Sequence, residues 1–400
     1  MTASVAYVEL SEIMASRTGN IDPTRFPDKQ FELYSIPAHD AGAPDITTGA
    51  QIGSTKQLVQ DGDVLLSKIV PHIRRSWIVE RQTNSQLIAS GEWIVFRSNR
   101  FDPNYLRHLL ISDAFHQQFM NTVAGVGGSL LRARPSFVAR IRVPMPNMPE
   151  QRRIAEVLDQ VDTLRDKRRK SIALLDDLAE SIFLDMFEVP GSVTESMPLG
   201  SLADVSSGIT KGRKVPPNTT LHPVPYLAVA NVQDKRLILD GVKQIDATEM
   251  EIERYRLKTN DLLLTEGGDP DKLGRGTLWR NELDECIHQN HIFRVRLKGE
   301  LTVRPTYLNW VISSRRGRRY FLRSAKQTTG IASINATQLR SFPVPIAPIA
   351  TQQRFEDRIE AVAGCQRHHE AALNHLDALF ASIQSRAFRG ELWQDDVKNL

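Results

Sequence analysis

From Ile154 onward, apolar residues recur in a three-four alternation at Val157/Leu158, Val161, Leu164, Ile172, Leu175, Leu178/Ala179, Ile182 and Met186. That spacing draws one apolar stripe along a helix. Arg168 interrupts the stripe once, and charged residues from Arg165 to Lys170 crowd its middle. Asn147, with Glu150 three positions on and Pro149 in the first turn, predicts where the helix starts. A second long helix is predicted by Phe355, Ile359, Val362, Leu373, Leu376, Leu379/Phe380 and Ile383. At 1.5 Å per residue, some 38 residues span roughly 57 Å, so each helix needs a partner to bury its stripe. The blocks between the helices read differently. Val64-Leu65-Leu66, Trp93-Ile94-Val95-Phe96, Leu262-Leu263-Leu264 and Ile292-Phe293-Arg294-Val295 are short runs bounded by Gly, Asp and Asn, which predict strands. A helix is predicted after each strand set, over 105–120 and 307–324.

The chain repeats itself. Val143-Pro144-Met145-Pro146-Asn147-Met148-Pro149-Glu150-Gln151-Arg152-Arg153-Ile154 returns 201 residues later, without a gap, as Val344-Pro345-Ile346-Ala347-Pro348-Ile349-Ala350-Thr351-Gln352-Gln353-Arg354-Phe355. Gly62-Asp63-Val64-Leu65-Leu66 and Asn260-Asp261-Leu262-Leu263-Leu264 echo each other more faintly. A period this long is a duplicated module rather than a solenoid. The expected fold class is α+β: two similar mixed α/β domains, 1–142 and 191–342, separated by two long helices, 143–190 and 343–400. Repetition of the stripes favours packing of the helices on each other as an antiparallel coiled coil.

Composition fits a chain that folds around real cores, with 41% hydrophobic and 24% charged residues. The two cysteines, Cys286 and Cys365, cannot make a disulfide framework and suit a reducing compartment. No run approaches the ~18 apolar residues of a membrane span, and Glu9 and Glu12 near the start argue against a signal peptide. A cytoplasmic protein with no membrane partner is expected. The net charge of +4 is distributed unevenly, and the 189–342 block holds 23 basic against 16 acidic side chains. Such a block can serve as a nucleic-acid footprint.

Catalytic signatures are missing. There is no Walker A pattern, no His-Glu-x-x-His, no Gly-x-Gly-x-x-Gly after a strand, and no Asn/Asp-Pro-Pro-aromatic tetrapeptide of the amino-methyltransferase kind. Cys286, His288 and His291 lie close together, but their spacing matches no zinc site, and a strand-edge cluster is the better account. The chain therefore reads as a binder, with no catalytic residue, metal or cofactor of its own. Three basic segments in the second block are candidates for DNA contact. They are the glycine-dense loop 267–276 with Lys272 and Arg275, the stretch with Arg315, Arg316, Arg318 and Arg319 beside Tyr320 and Phe321, and the loop with Lys211, Arg213 and Lys214. Lys68, Arg74, Arg75, Arg132 and Arg134 are the first-block analogues.

The proline-rich helix entry Pro146-Asn147-Met148-Pro149-Glu150-Gln151-Arg152-Arg153-Ile154 resembles that of type I restriction–modification specificity subunits, and the resemblance runs along essentially the whole chain. Tyr34-Ser35-Ile36-Pro37-Ala38, Leu273-Gly274-Arg275 and His288-Gln289-Asn290-His291-Ile292-Phe293-Arg294-Val295 are similar as well. The resemblance implies two target-recognition domains that each read half of a split, asymmetric site on double-stranded DNA, held apart by the helices. It implies docking of methyltransferase subunits, two being expected, which methylate adenine with S-adenosylmethionine, and a motor-nuclease subunit in the full enzyme. Gln151, Arg152, Ile154, Leu158 and Leu175, with Gln352, Phe355, Ile359, Leu376 and Ile383, are the expected spacer and partner-binding positions. The competing reading is a coiled-coil scaffold whose globular domains bind protein partners.

Overall fold

Asn147 caps the central helix as its spacing predicts. Its Oδ1 accepts the Glu150 N–H at 3.0 Å, and the helix runs Met148–Phe187. The second long helix runs Ile349–Phe388. This computed structural model describes residues 6–124, 131–188, 195–269, 273–299, 302–328 and 331–392. Contacts divide the chain into one unit of residues 1–171 with 369–400 and another of residues 172–368, so each long helix gives one half to each unit. No helix among the described residues is long and apolar enough to cross a membrane.

In the first unit, a five-stranded sheet has the order Asn20–Ile21, Lys56–Leu58, Gln86–Ala89, Gln30–Tyr34, Asp45–Thr48. Its one parallel pairing sets Phe31 beside Gln86. Val64–Ser67 pairs with both Ser76–Ile78 and Trp93–Phe96 in a second sheet whose residues are mostly buried. Tyr7–Glu9 pairs antiparallel with Arg142–Pro144, tying the start of the unit to the strand that feeds the central helix. Ile154, Ala155, Leu158 and Val161 complete this core together with Phe380, Ala387 and Phe388 of the second helix. Arg165 meets Asp377 at 2.6 Å, and Arg168 donates to Nδ1 of His369 at 3.1 Å. Residue numbers rise on one helix as they fall on the other, so the halves run antiparallel.

The second unit repeats the plan. Leu262–Thr265 lies between Gly276–Leu278 and Ile292–Leu297, and Ala203–Ser207 extends that sheet. Glu195–Pro198 pairs with Pro343–Ile346 at the helix entry. Here too the helix halves are antiparallel. Gln366 donates to Asp176 at 2.7 Å, and Phe355 packs 5.7 Å from Phe183 and 5.1 Å from Phe187. Arg165/Asp377 and Gln366/Asp176 are the same register positions, offset by 201.

Two expectations need correcting. Leu164, Leu178 and Leu379 were assigned to the apolar stripe, but they are 46%, 47% and 47% exposed, while Ala179 and Phe380 turn inward. Adjacent helical positions lie about 100° apart, so only one of each pair can face the core. The predicted helix over 105–120 is two helices, Pro103–Leu110 and Asp113–Met120, and that over 307–324 is Pro305–Ser313 and Arg315–Ser324. Ser112 and Ser314 break them. Each adopts extended backbone, and its hydroxyl accepts an N–H of the next helix, from Phe115 and Gly317 respectively.

What fixes each domain to its helix is a buried glutamine. Gln151 accepts the Asp102 N–H at 2.8 Å and donates to the carbonyls of Arg100 and Pro146. Gln352 accepts the Arg304 N–H at 2.8 Å and donates to the carbonyls of Thr302 and Ala347. A tyrosine reinforces each joint: Tyr105 and Tyr307 donate to the carbonyls of Pro144 and Pro345, both at 2.9 Å. Inside each unit a fully buried aspartate, Asp63 or Asp261, holds Arg97 or Arg296 through two hydrogen bonds. Gln352→Ala strands a buried N–H and two carbonyls, each costing about 1–3 kcal/mol when left unsatisfied. Chemical denaturation should show a loss of at least ~2 kcal/mol, against a few tenths for the half-buried neighbour change Gln353→Ala.

Candidate nucleic-acid interface

Arginine helix Arg315–Ser324 has a dry face and a wet face. Gly317 and Phe321 are buried, and a Cβ at Gly317 would stand 2.0 Å from the Ile312 carbonyl oxygen, so only glycine lets the helix lie this close. Phe321 stacks on Phe342 at 5.2 Å. Arg315, Arg319 and Arg323 are exposed at i, i+4 and i+8, one stripe of the helix, and have no ion-pair partner among the described residues. Arg316 reaches only Ser196, at 3.4 Å, while Arg318 pairs with Asp234 at 3.3 Å. Arg318 thus finds its acid 84 residues away in the chain.

The glycine-dense segment packs against the same helix. Gly274 has φ +78°, and a Cβ there would meet the Phe321 ring at 2.9 Å. The segment is less of an open loop than expected, because Gly267–Gly268 forms a strand on Ile331–Ser333 and Gly276–Leu278 belongs to the main sheet. Lys272 lies outside the described residues. Arg275 is half-buried and donates to Gln233 at 3.0 Å. Gln233 and Asp234 belong to a tight hairpin, Val232–Gln233 paired with Arg236–Leu237, with Lys235 at φ +57° in its turn. Lys235 Nζ sits 4.0 Å from the Trp310 ring centroid, a cation–π contact. The hairpin therefore brings Arg275 and Arg318 together through adjacent residues. Sequence reasoning missed it; the polar Asp234-Lys235 turn flanked symmetrically by Val232 and Leu237 was the available signal.

The third basic loop is only partly available. Lys211 and Lys214 are exposed, but Arg213 is held by both carboxylate oxygens of Glu251. Those bonds, with the Thr248 N–H, pull the Glu251 carboxyl down to about 2. The first-unit candidates are more strongly engaged. Arg74 pairs with Asp113 at 2.6 Å, Arg132 with Glu92 at 2.9 Å, and Arg75 with Asp40 through two 2.7 Å bonds. Arg75 holds the Asp40 carboxyl at about 2. Lys68 donates to the Gly91 carbonyl, and Arg134 lies 3.9 Å over the Phe137 ring. Arg74, Arg75 and Arg132 are thus each paired with an acid far away in sequence.

Over 312 residues the chain is 24% identical to the type I restriction enzyme StySPI specificity subunit of Salmonella potsdam, a match covering 72% of this chain and 65% of that protein. A chain from a structure of complex assembly and conformational transition of the type I R-M system aligns at TM-score 0.57 and 20% identity, over 98% of this chain and 99% of that one. The crystal structure of the type I restriction-modification S subunit from M. genitalium aligns at 0.56 and 10% identity, over 97% of each chain. The chain is thus similar to type I specificity subunits in sequence and in fold. No family model matches it.

The expected spacer and partner-binding positions divide by exposure. Gln151, Ile154, Leu158, Gln352 and Phe355 are buried in their own units. Leu175 and Ile359 pack on the second core, and Leu376 and Ile383 on the first. These are structural positions of the chain itself. Exposed apolar surface on the helices is found at Leu164, Leu174, Leu178, Ile349 and Leu379 instead. Arg152 lines an open groove with Glu156, Gln160 and Leu164.

Among the described residues, no group of three or more His, Cys, Asp and Glu side chains is arranged as a metal site. His291 points to Glu266 at 2.6 Å, and burial pushes the Cys286 thiol up to about 12. His288 is fully buried, neither ring nitrogen has a hydrogen-bond partner among the described residues, and burial, then the charges of Arg294 and Arg296, push it down to about 3. An unfolded chain takes up this proton below about 6.5, whereas the folded one resists until about 3. Stability present above pH 6.5 is therefore lost as pH falls through that window, by about 1.4 kcal/mol per unit. Wild type should lose denaturation midpoint faster between pH 7 and 5 than His288→Leu. Parallel pH profiles for the two proteins contradict the assignment.

Proposed function

We propose that this chain is a non-catalytic specificity subunit: it binds double-stranded DNA, reads a bipartite asymmetric site with its two domains, and docks methyltransferase subunits through its long helices. The observation that carries this reading is the exposed stripe of Arg315, Arg319 and Arg323, without an ion-pair partner among the described residues, on a helix that packs against Gly274 and is built on a scaffold that recurs in the first unit. Three guanidinium groups on one wet face serve phosphate contact, which is independent of sequence. Arg275, anchored by Gln233, suits bidentate reading of a guanine edge. The likeness to type I specificity subunits supports the same assignment. Methyl transfer and S-adenosylmethionine belong, on this reading, to the docked subunits, and a motor-nuclease subunit joins the full restriction enzyme. Similar domains with different surfaces account for unlike half-sites.

Replacing Arg315, Arg319 and Arg323 with Gln should flatten the dependence of log K on log salt by roughly 2–3, at about 0.9 per lost phosphate contact, while leaving sequence preference intact. Arg275→Ala should instead relax preference at particular base pairs by about 1–3 kcal/mol each. Binding isotherms over a salt series and a panel of sites separate the two, and the reverse pattern overturns the roles. Docking is expected where Leu178 and Leu379 stand, register equivalents equally exposed at 47%. Leu178→Glu should weaken copurification of one methyltransferase subunit, Leu379→Glu that of another, and the double change that of both, with unchanged melting of the chain. Full stoichiometry in the double variant contradicts docking at these leucines.

A further inference from the structure

The first unit has a second cationic feature, absent from the expected set. At one end of the five-stranded sheet, where Lys56–Leu58 ends and Gln86–Ala89 begins, a cleft of about 630 Å³ opens beside the buried Asp63–Arg97 pair. Lys29 and Arg81 line it, together with Gln60, Asn84 and Gln86. Arg97 is neutralised by Asp63. Among the described residues the other two cations have no ion-pair partner: Lys29 donates to the Gln86 amide oxygen at 2.6 Å, and Arg81 Nη1 donates to the carbonyls of Ser85, at 2.9 Å, and Thr83. Asp61, the acid beside Arg81, accepts the Arg81 main-chain N–H at 2.8 Å and is not part of the lining. The wall is thus two uncompensated positive charges held in place by neutral acceptors, with three carboxamides between them.

We propose that this cleft is the first unit's phosphodiester-binding subsite, with Lys29 and Arg81 on the DNA backbone and the carboxamides facing base edges. The inference rests on the DNA-binding reading above and moves the first unit's contact away from Arg74, Arg75 and Arg132, whose charges are matched internally. Cations that meet only neutral acceptors keep their full charge for a ligand, and a concave wall brings several of them to one strand. Carboxamides suit adenine, whose N6 and N7 take a bidentate Asn or Gln.

The test uses the full chain, with its methyltransferase partners, on duplex DNA carrying the methylated site. Lys29→Gln with Arg81→Gln should reduce the salt slope of binding by about 1.8, from about 0.9 per phosphate. Lys29→Arg with Arg81→Lys should retain it. Lys29→Gln alone, at an exposed side chain, should reduce it by about 0.9 and guards against a folding defect in the double variant. Asn84→Ala should change base preference and not the slope. An unchanged slope in the glutamine variants, while Arg315, Arg319 and Arg323 replacements still flatten it, overturns the cleft and leaves the DNA-binding reading standing. Wild type that binds duplex without salt dependence overturns both.

Discussion

Two buried glutamine side chains hold this protein's architecture together. Gln151 and Gln352 each offer one oxygen and one amide group, and each uses them on one main-chain N–H and two carbonyls. An amide is the side chain that can donate twice and accept from one site, so neither an acid nor an aliphatic residue can replace it without leaving buried groups unmatched. The bonds join the loop before a domain helix to the first turn of the long helix. Every side chain farther along the long helix is therefore aimed by a joint only a few ångströms across.

Because the joint contacts backbone alone, domain surfaces can differ without disturbing it. The two units show that freedom. They share the buried aspartate–arginine pair, the tyrosine bond and the paired entry strands, yet their basic surfaces lie in different places. In the second unit the free charge stands on a convex helix; in the first, one concentration of it lines a concave sheet end. A given count of basic residues says little until their carboxylate partners are known.

That limit explains what the sequence disclosed. Local signals were legible: the Asn147 cap, the short strands, and the apolar stripe to within one position. The repeated Gln151 and Gln352 were visible as a motif, though not their hydrogen bonds. Pairings across distance were hidden. Arg75 meets an acid 35 residues away and Arg318 one 84 residues away, so chain proximity gave no warning that these charges were matched. Lys29 and Arg81 escaped notice for the converse reason: each is isolated in sequence, and only the sheet brings them to one cleft. The serine breaks at Ser112 and Ser314 were local, but apolar periodicity runs through them and masked the cap.

The contact between Arg168 and His369 has its own implication. The two positions are offset by 201, so each residue faces its own counterpart in the repeat. A fragment carrying only the first module, pairing with an identical copy, would set arginine against arginine at this crossing. A fragment carrying only the second would set imidazole against imidazole. A guanidinium can donate to an imidazole nitrogen, whereas two guanidiniums repel. The Arg168–His369 crossing thus disfavours self-pairing of the first module's helix, because the repeat places a different residue at the same register position.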